Sequence, residues 1–206
     1  RKFQMGDIIV AATQNKHKIR EIEAITKEFG MEIISRDEAG VPPLDIVEDG
    51  ETFEENSAKK AEEIMKICGK ITIADDSGLE VDCLNGAPGV YSARFAGEDG
   101  NDKANNEKLK SLIKDVPYEK RTGRFVSVIT MVFPDGEKLV ARGEVEGHIL
   151  LEERGSNGFG YDPLFVPEGY DISFGEIDAE IKNKISHRAK ALAELRKMLL
   201  EREKEI

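Results

Sequence analysis

The chain has 206 residues, enough for one large domain or two small lobes on a shared core, which excludes a multidomain assembly. Its 39% hydrophobic residues, 19 glycines and 7 prolines are those of an ordinary globular protein, and no apolar run reaches the roughly 18 residues of a membrane span. Lys and Arg total 30 against 41 Asp and Glu, and a formal charge of -11 repels nucleic acid, so neither a nucleic acid polymer nor a membrane is an expected partner.

Cys68 and Cys83 cannot form a disulfide framework and fit no zinc spacing, so they read as two buried free thiols in a reducing cytoplasm. The N-terminus has no apolar signal region. Arg1–Gln4 reads as a short remnant ahead of a native start at Met5, leaving 5–206 as a single two-lobed domain.

Asp7 to Ala12 is a short apolar strand, and from Asn15 the apolar residues Ile19, Ile22, Ile25 and Phe29 recur at helical spacing until Gly30. Met31 to Ser35 predicts a second strand. Thr52 with Glu55 three residues later is a capping box, predicting a helix that runs to about Gly69. Ile71 to Asp75 predicts the next strand, after which Leu79 to Asp82 and Gly86-Ala87-Pro88-Gly89 return the chain through a loop. A helix over about Asn105 to Lys114 is expected to bury Leu109, Leu112 and Ile113. Phe125 to Val132, the turn Pro134-Asp135-Gly136 and Lys138 to Leu151 form one long hairpin. After a glycine-rich loop at Gly155 to Pro163, Ser186 is expected to cap a last helix carrying Ala189, Leu192, Ala193, Leu195 and Leu199 inward, with Glu201 to Glu205 as a solvated end. Strands alternate with helices early and a hairpin dominates later, so the fold class is α/β with a mixed, twisted central sheet flanked by helices.

Four segments could carry chemistry. Thr13-Gln14-Asn15-Lys16-His17-Lys18 lies at a strand-to-helix junction whose exposed amides and lysines suit a phosphate, although Thr13 or Asn15 equally reads as an ordinary N-cap. The acidic stretch from Glu48 and the helix bearing Lys60 could hold Mg²⁺, or simply solubilise the surface with Lys60 in an intrahelical ion pair. Asp75-Asp76-Ser77-Gly78 falls where open α/β sheets bind ligands, and the alternation of a strand sends the two carboxylates to opposite faces; a plain Asx-turn ending the strand is the other reading. In the fourth segment the glycines let backbone approach a flat ligand on which Phe159 or Tyr161 stacks, while His187 and Arg188 open the last helix or serve as a core histidine and a surface charge.

Thr13-x-Asn15-x-x-Lys18, Phe53-x-Glu55-Asn56, Ala74 to Leu79, Gly86 to Gly89, Phe159-Gly160-Tyr161-Asp162 and Ser186-His187-Arg188, in this order, resemble the inosine triphosphate pyrophosphatase family. That resemblance implies a two-lobed homodimer with a nucleotide-binding cleft between the lobes, converting non-standard purine nucleoside triphosphates and water to the monophosphate and pyrophosphate with Mg²⁺. It assigns Thr13, Gln14, Asn15, Lys16, His17, Lys18 and Lys60 to the triphosphate, Glu48 and Asp76 to the metal, Asp76 to proton acceptance and Ser77 to substrate contact. It assigns Phe159, Gly160, Tyr161, Asp162, Lys182, His187 and Arg188 to base and sugar, with Arg188 or loop amides near Phe159 to Asp162 expected to meet a 6-oxo group. The competing readings are a Maf-like pyrophosphatase acting on pyrimidine or modified nucleotides and a non-catalytic nucleotide-binding protein.

Overall fold

The computed structural model describes residues 7–204; Arg1–Gln4, Met5 and Glu205, read above as a remnant, a start and part of a charge run, lie outside the described residues. Six strands, β1 (Ile8–Ala11), β2 (Glu32–Ser35), β3 (Thr72–Val81), β4 (Thr122–Val132), β5 (Lys138–Ile149) and β6 (Phe165–Pro167), are hydrogen-bonded in the order β2-β1-β3-β4-β5-β6. β1 runs parallel to β2, with Ile8 opposite Glu32, and parallel to β3, with Val10 opposite Thr72, whereas β6 is antiparallel to β5. The sheet is therefore mixed. The helices are α1 (Lys16–Glu28), α2 (Phe53–Cys68), α3 (Asp102–Ile113), α4 (Ala179–Ile185) and α5 (His187–Lys204).

Local chemistry sets the first two helices. Asn15 caps α1 by accepting from the amides of His17 and Lys18, and Gly30 follows its end with φ 74°. Thr52 caps α2 through the Glu55 amide, and left-handed Gly69 ends it. The reciprocal bond of the capping box is displaced by one residue, since Glu55 Oε2 accepts from the amide of Glu51 at 3.0 Å.

The chain forms two compact units: unit 1 comprises residues up to Asp76, Ser127–Gly143 and residues from Arg188, and unit 2 comprises Ser77–Val126 and Glu144–His187. In unit 1 the period of a strand sorts the core, because alternate residues point to opposite faces. Ile9 and Ala11 cluster with Ile73, Ile129 and Met131 and with Ile22 of α1 and Leu192 and Leu195 of α5, while Val10, Ala12, Ala74 and Val132 cluster with Ala61 and Ile64 of α2. Strands covered on both faces explain the nearly continuous apolar run of β1. Unit 2 has its own core of Leu79, Val81, Leu109, Ile113, Val145 and Ile149, in which Phe165 packs 4.6 Å from Phe125 and 5.4 Å from Phe174 between ring centres.

Four expectations need correction. β3 does not end at Asp75 but continues to Val81, so the acidic pair lies inside a strand; Asp75 finds partners on other elements and has no need to fold back in an Asx-turn. α3 begins at Asp102, because Asn101 caps it by accepting from Ala104, and Leu112, like Ala193 of α5, is exposed rather than buried. β6 and α4 went unanticipated, and α4 places Lys182 on a helix, with Ser186 extended between α4 and α5. Cys83 is exposed and Cys68 only half-buried.

Candidate active site

In unit 1 the end of β1 feeds a tight turn in which Thr13 Oγ1 accepts from the Asn15 amide at 3.1 Å, and Asn15 Oδ1 accepts from His17 and Lys18 at 3.0 and 3.2 Å. The first turn of α1 carries no acidic residue, so its positive end is not neutralised within the helix. Gln14, Lys16 and His17 are exposed, and Lys18 reaches inward to Asp75 Oδ2 at 3.0 Å.

Asp75 is fully buried and shared among three groups. Its Oδ1 accepts from Ser127 Oγ at 2.5 Å, and its Oδ2 meets Lys18 and, at 3.2 Å, Arg188 Nη2. Burial works against ionisation, but Arg188, Lys18 and the Ser127 hydroxyl outweigh it and hold the carboxyl well below its usual range. Arg188 is itself 1% exposed, and its other Nη pairs with Glu21 of α1. The Arg188 guanidinium balances two acids of unit 1, and Asp75 is one of the groups that hold it.

Lys60 projects from α2 between two further carboxylates, 2.6 Å from Glu48 Oε1 and 3.7 Å from Asp76 Oδ1, while donating to the Asp75 carbonyl at 2.6 Å. Burial would lower its pKa, but Asp76 and Glu48 overcome this and raise it, so the ammonium persists. The intrahelical ion pair weighed for Lys60 is replaced by contacts with a loop and a strand. Asp76 is pushed up to about 6, first by burial and also by Glu48 and Asp75, against the pull of Lys60 and Lys18. Its Oδ2 is buried and has no hydrogen-bond partner.

That orphaned oxygen tests whether these residues fit Mg²⁺. Glu48 and Asp76 already bracket a cation, the Lys60 ammonium, and offer hard oxygen donors, one of them unsatisfied. No group of three or more His, Cys, Asp or Glu suited to a metal occurs among the described residues, but Mg²⁺ keeps several waters and commonly uses one or two carboxylates. The pair fits.

In unit 2, Gly158 and Gly160 adopt φ 72° and 60°, and a Cβ on Gly158 would come within 2.1 Å of Asp162 Oδ2. This close approach lets Asp162 Oδ2 accept from the Phe159 amide at 3.0 Å and from Lys182 Nζ at 2.7 Å. Lys182 is 3% exposed and stands 4.9 Å from the centre of the Phe159 ring. Phe159, Asp162 and Lys182 therefore form one cluster. Tyr161, offered as an alternative stacking ring, is instead buried, and its hydroxyl donates to the Ser92 carbonyl at 2.6 Å. His187 packs in the aromatic core, stacked 4.8 Å from Phe125. Three of the loop amides expected to meet a 6-oxo group are engaged: Phe159 with Asp162, Gly160 with Asp102 and Asp162 with the Phe159 carbonyl. Ser77 opens unit 2 beside Asp76 in β3.

With this geometry in view, residues 9–198 match the Ham1 family. The chain belongs to the Ham1 family. It is 51% identical over 193 residues to a dITP/XTP pyrophosphatase of Clostridium perfringens, covering 91% of this chain and 94% of that protein. It is 48% identical over 191 residues to a dITP/XTP pyrophosphatase of Bacillus licheniformis, covering 93% and 97%. Among solved structures, the Staphylococcus aureus Ham1 protein superposes with a TM-score of 0.83 at 42% identity, over 95% of this chain and 99% of that one.

Some site residues of this Ham1 family member escaped the sequence reading. Ser127 stands in β4 as a polar residue within an apolar run, a signal that a buried partner exists but not which one. Glu21 lies three residues beyond Lys18 on the same side of α1, which would have hinted at a shared task.

Proposed function

We propose that this protein hydrolyses dITP, XTP and ITP to the nucleoside monophosphate and pyrophosphate. The observation that carries the reading is the buried cluster of unit 1, where Lys60 stands beside Asp76 and its unsatisfied oxygen and Lys18 pairs with the adjacent Asp75. The names of the relatives supply the substrate class.

In this reading Lys18, Lys60 and the first turn of α1 receive the phosphate oxygens, concentrating positive charge in a protein whose net charge is -11. Asp76 accepts the proton of the attacking water as the oxygen approaches the α-phosphorus, a role favoured by a carboxyl near 6. Lys60, already poised between Glu48 and Asp76, follows the charge onto the departing pyrophosphate. Glu48 and Asp76 would hold Mg²⁺, which when bound supplies polarisation of phosphate oxygens. Phe159 offers a face to the purine, and Lys182 carries the adjacent positive charge. A homodimer, implied by the resemblance stated above, in the reducing cytoplasm read from the free cysteines completes the proposal.

The deciding experiment is pyrophosphate release from dITP, XTP, ITP and ATP with and without Mg²⁺. Release from the first three that depends on the metal is expected; no release from any of them overturns the reading.

A further inference from the structure

The loop carrying Phe159 is held from outside by one helix. The Gly160 amide donates to Asp102 Oδ2 at 2.9 Å, and the Gly160 carbonyl accepts from Asn106 Nδ2 at 3.0 Å. Asp102 and Asn106 are four apart in α3 and so share one side of it. The helix thus takes both polar backbone atoms of a single residue. We propose that Asp102 and Asn106 are positioning residues that fix the orientation of the base-recognition loop by gripping Gly160, which makes α3 a determinant of base selectivity.

Three observations support this. Asn106 is 5% exposed and its Oδ1 is buried without a hydrogen-bond partner. A buried amide with an unsatisfied acceptor is a poor choice for stability alone, so its bond to Gly160 needs a further purpose. Its neighbour Asn105, also buried, spends both ends of its amide docking α3 onto the backbone of Ala93 and Ala96. The two asparagines therefore divide the work, one fastening the helix and one fastening the loop. The loop is also wired internally, since Phe159 and Lys182 both bond Asp162, so a shift at Gly160 passes directly to the Phe159 ring and the Lys182 charge. Asp102 and Asn106 need not touch the substrate.

The proposal rests on the reading that Phe159 to Asp162 receive the purine, and its test separates the two. Binding of inosine monophosphate and of inorganic tripolyphosphate is measured by calorimetry on the unmutated protein and on Asn106→Ala, Asp102→Ala, Asp102→Asn and Asn105→Ala, with hydrogen exchange over 158–162. Asn106→Ala and Asp102→Ala should weaken inosine monophosphate about tenfold and tripolyphosphate less than about twofold, and speed exchange in the loop. Asp102→Asn, which keeps an acceptor oxygen, should restore most of the affinity. Asn105→Ala should lower the melting temperature without that ligand split. Equal weakening of both ligands, the same split in Asn105→Ala, unchanged loop exchange in Asn106→Ala or no inosine monophosphate binding by the unmutated protein each overturns the proposal. Failure to release pyrophosphate from dITP, with the ligand split intact, sinks the hydrolase reading alone.

Discussion

Asp75 and Asp76 are consecutive in β3, yet their surroundings drive them in opposite directions as acids. Asp75, against the tendency of its burial, is held well below the usual carboxylate range by Arg188, Lys18 and Ser127, whereas burial pushes Asp76 up to about 6. The pleat of the strand produces the difference by sending neighbouring side chains to opposite faces. One aspartate is held as an anion, and the other takes up a proton far more readily.

Asp76→Asn should therefore abolish pyrophosphate release and keep the fold, while Asp75→Asn should leave Arg188 and Lys18 poorly compensated and destabilise the protein by about 3–5 kcal/mol. Thermal unfolding together with pyrophosphate release separates the two. A dead, fully stable Asp75→Asn beside an active Asp76→Asn would reverse the assignment.

Lys18→Ala and Lys60→Ala should weaken a non-hydrolysable triphosphate about 10- to 100-fold, the worth of a charge-assisted hydrogen bond, and the matching monophosphate far less. Calorimetry with both ligands is the measurement. Equal losses would move the lysines away from the β- and γ-phosphates.

Glu48→Gln should raise the Mg²⁺ concentration for half-maximal rate about tenfold or more, the scale of losing one carboxylate from a site that has two, and chelation should silence the unmutated enzyme reversibly. A metal titration of the rate checks this. Full turnover in excess chelator would remove Glu48 and Asp76 from any metal role.

The unmutated protein should prefer dITP and XTP to ATP, because the Lys182 cation beside Phe159 suits a 6-oxo acceptor and opposes a 6-amino donor. Lys182→Met should narrow the ratio of kcat/KM for dITP over ATP about tenfold or more. Arg188→Ala should act mainly on stability, since that side chain is enclosed by Asp75 and Glu21. An unchanged ratio in Lys182→Met would shift discrimination elsewhere.

What the sequence revealed followed the range of the interactions involved. Asn15, Thr52 and Gly69 act within a turn of their own helices, so the ends of α1 and α2 could be read directly. Asp75-Asp76-Ser77-Gly78 looks like a turn to any local reading, but it lies inside β3, between β1 and β4, and Asp75 is held there by partners as distant as Ser127 and Arg188, 52 and 113 residues away. The family resemblance, and not spacing alone, singled out Glu48 and Asp76 beside Lys18 and Lys60, and the structure supplies a physical difference between Asp75 and Asp76. The position of Arg188 was illegible because Glu21 lies 167 residues earlier in the chain. The surroundings of Tyr161 were illegible for a similar reason: its hydroxyl is claimed by Ser92, 69 residues upstream.

The division of the chain between the two units has a consequence for biosynthesis. Unit 2 has all its residues once His187 has been added, but unit 1 still lacks Arg188 and the whole apolar side of α5. As the chain grows, the core that β1 begins cannot close until α5 is available, whereas unit 2 needs nothing beyond His187. Asp75 must wait for its guanidinium through the same interval. A chain ending at His187 would carry every residue of unit 2 but would leave Asp75 with Lys18 and Ser127 alone and the apolar cluster of unit 1 without the side chains of α5.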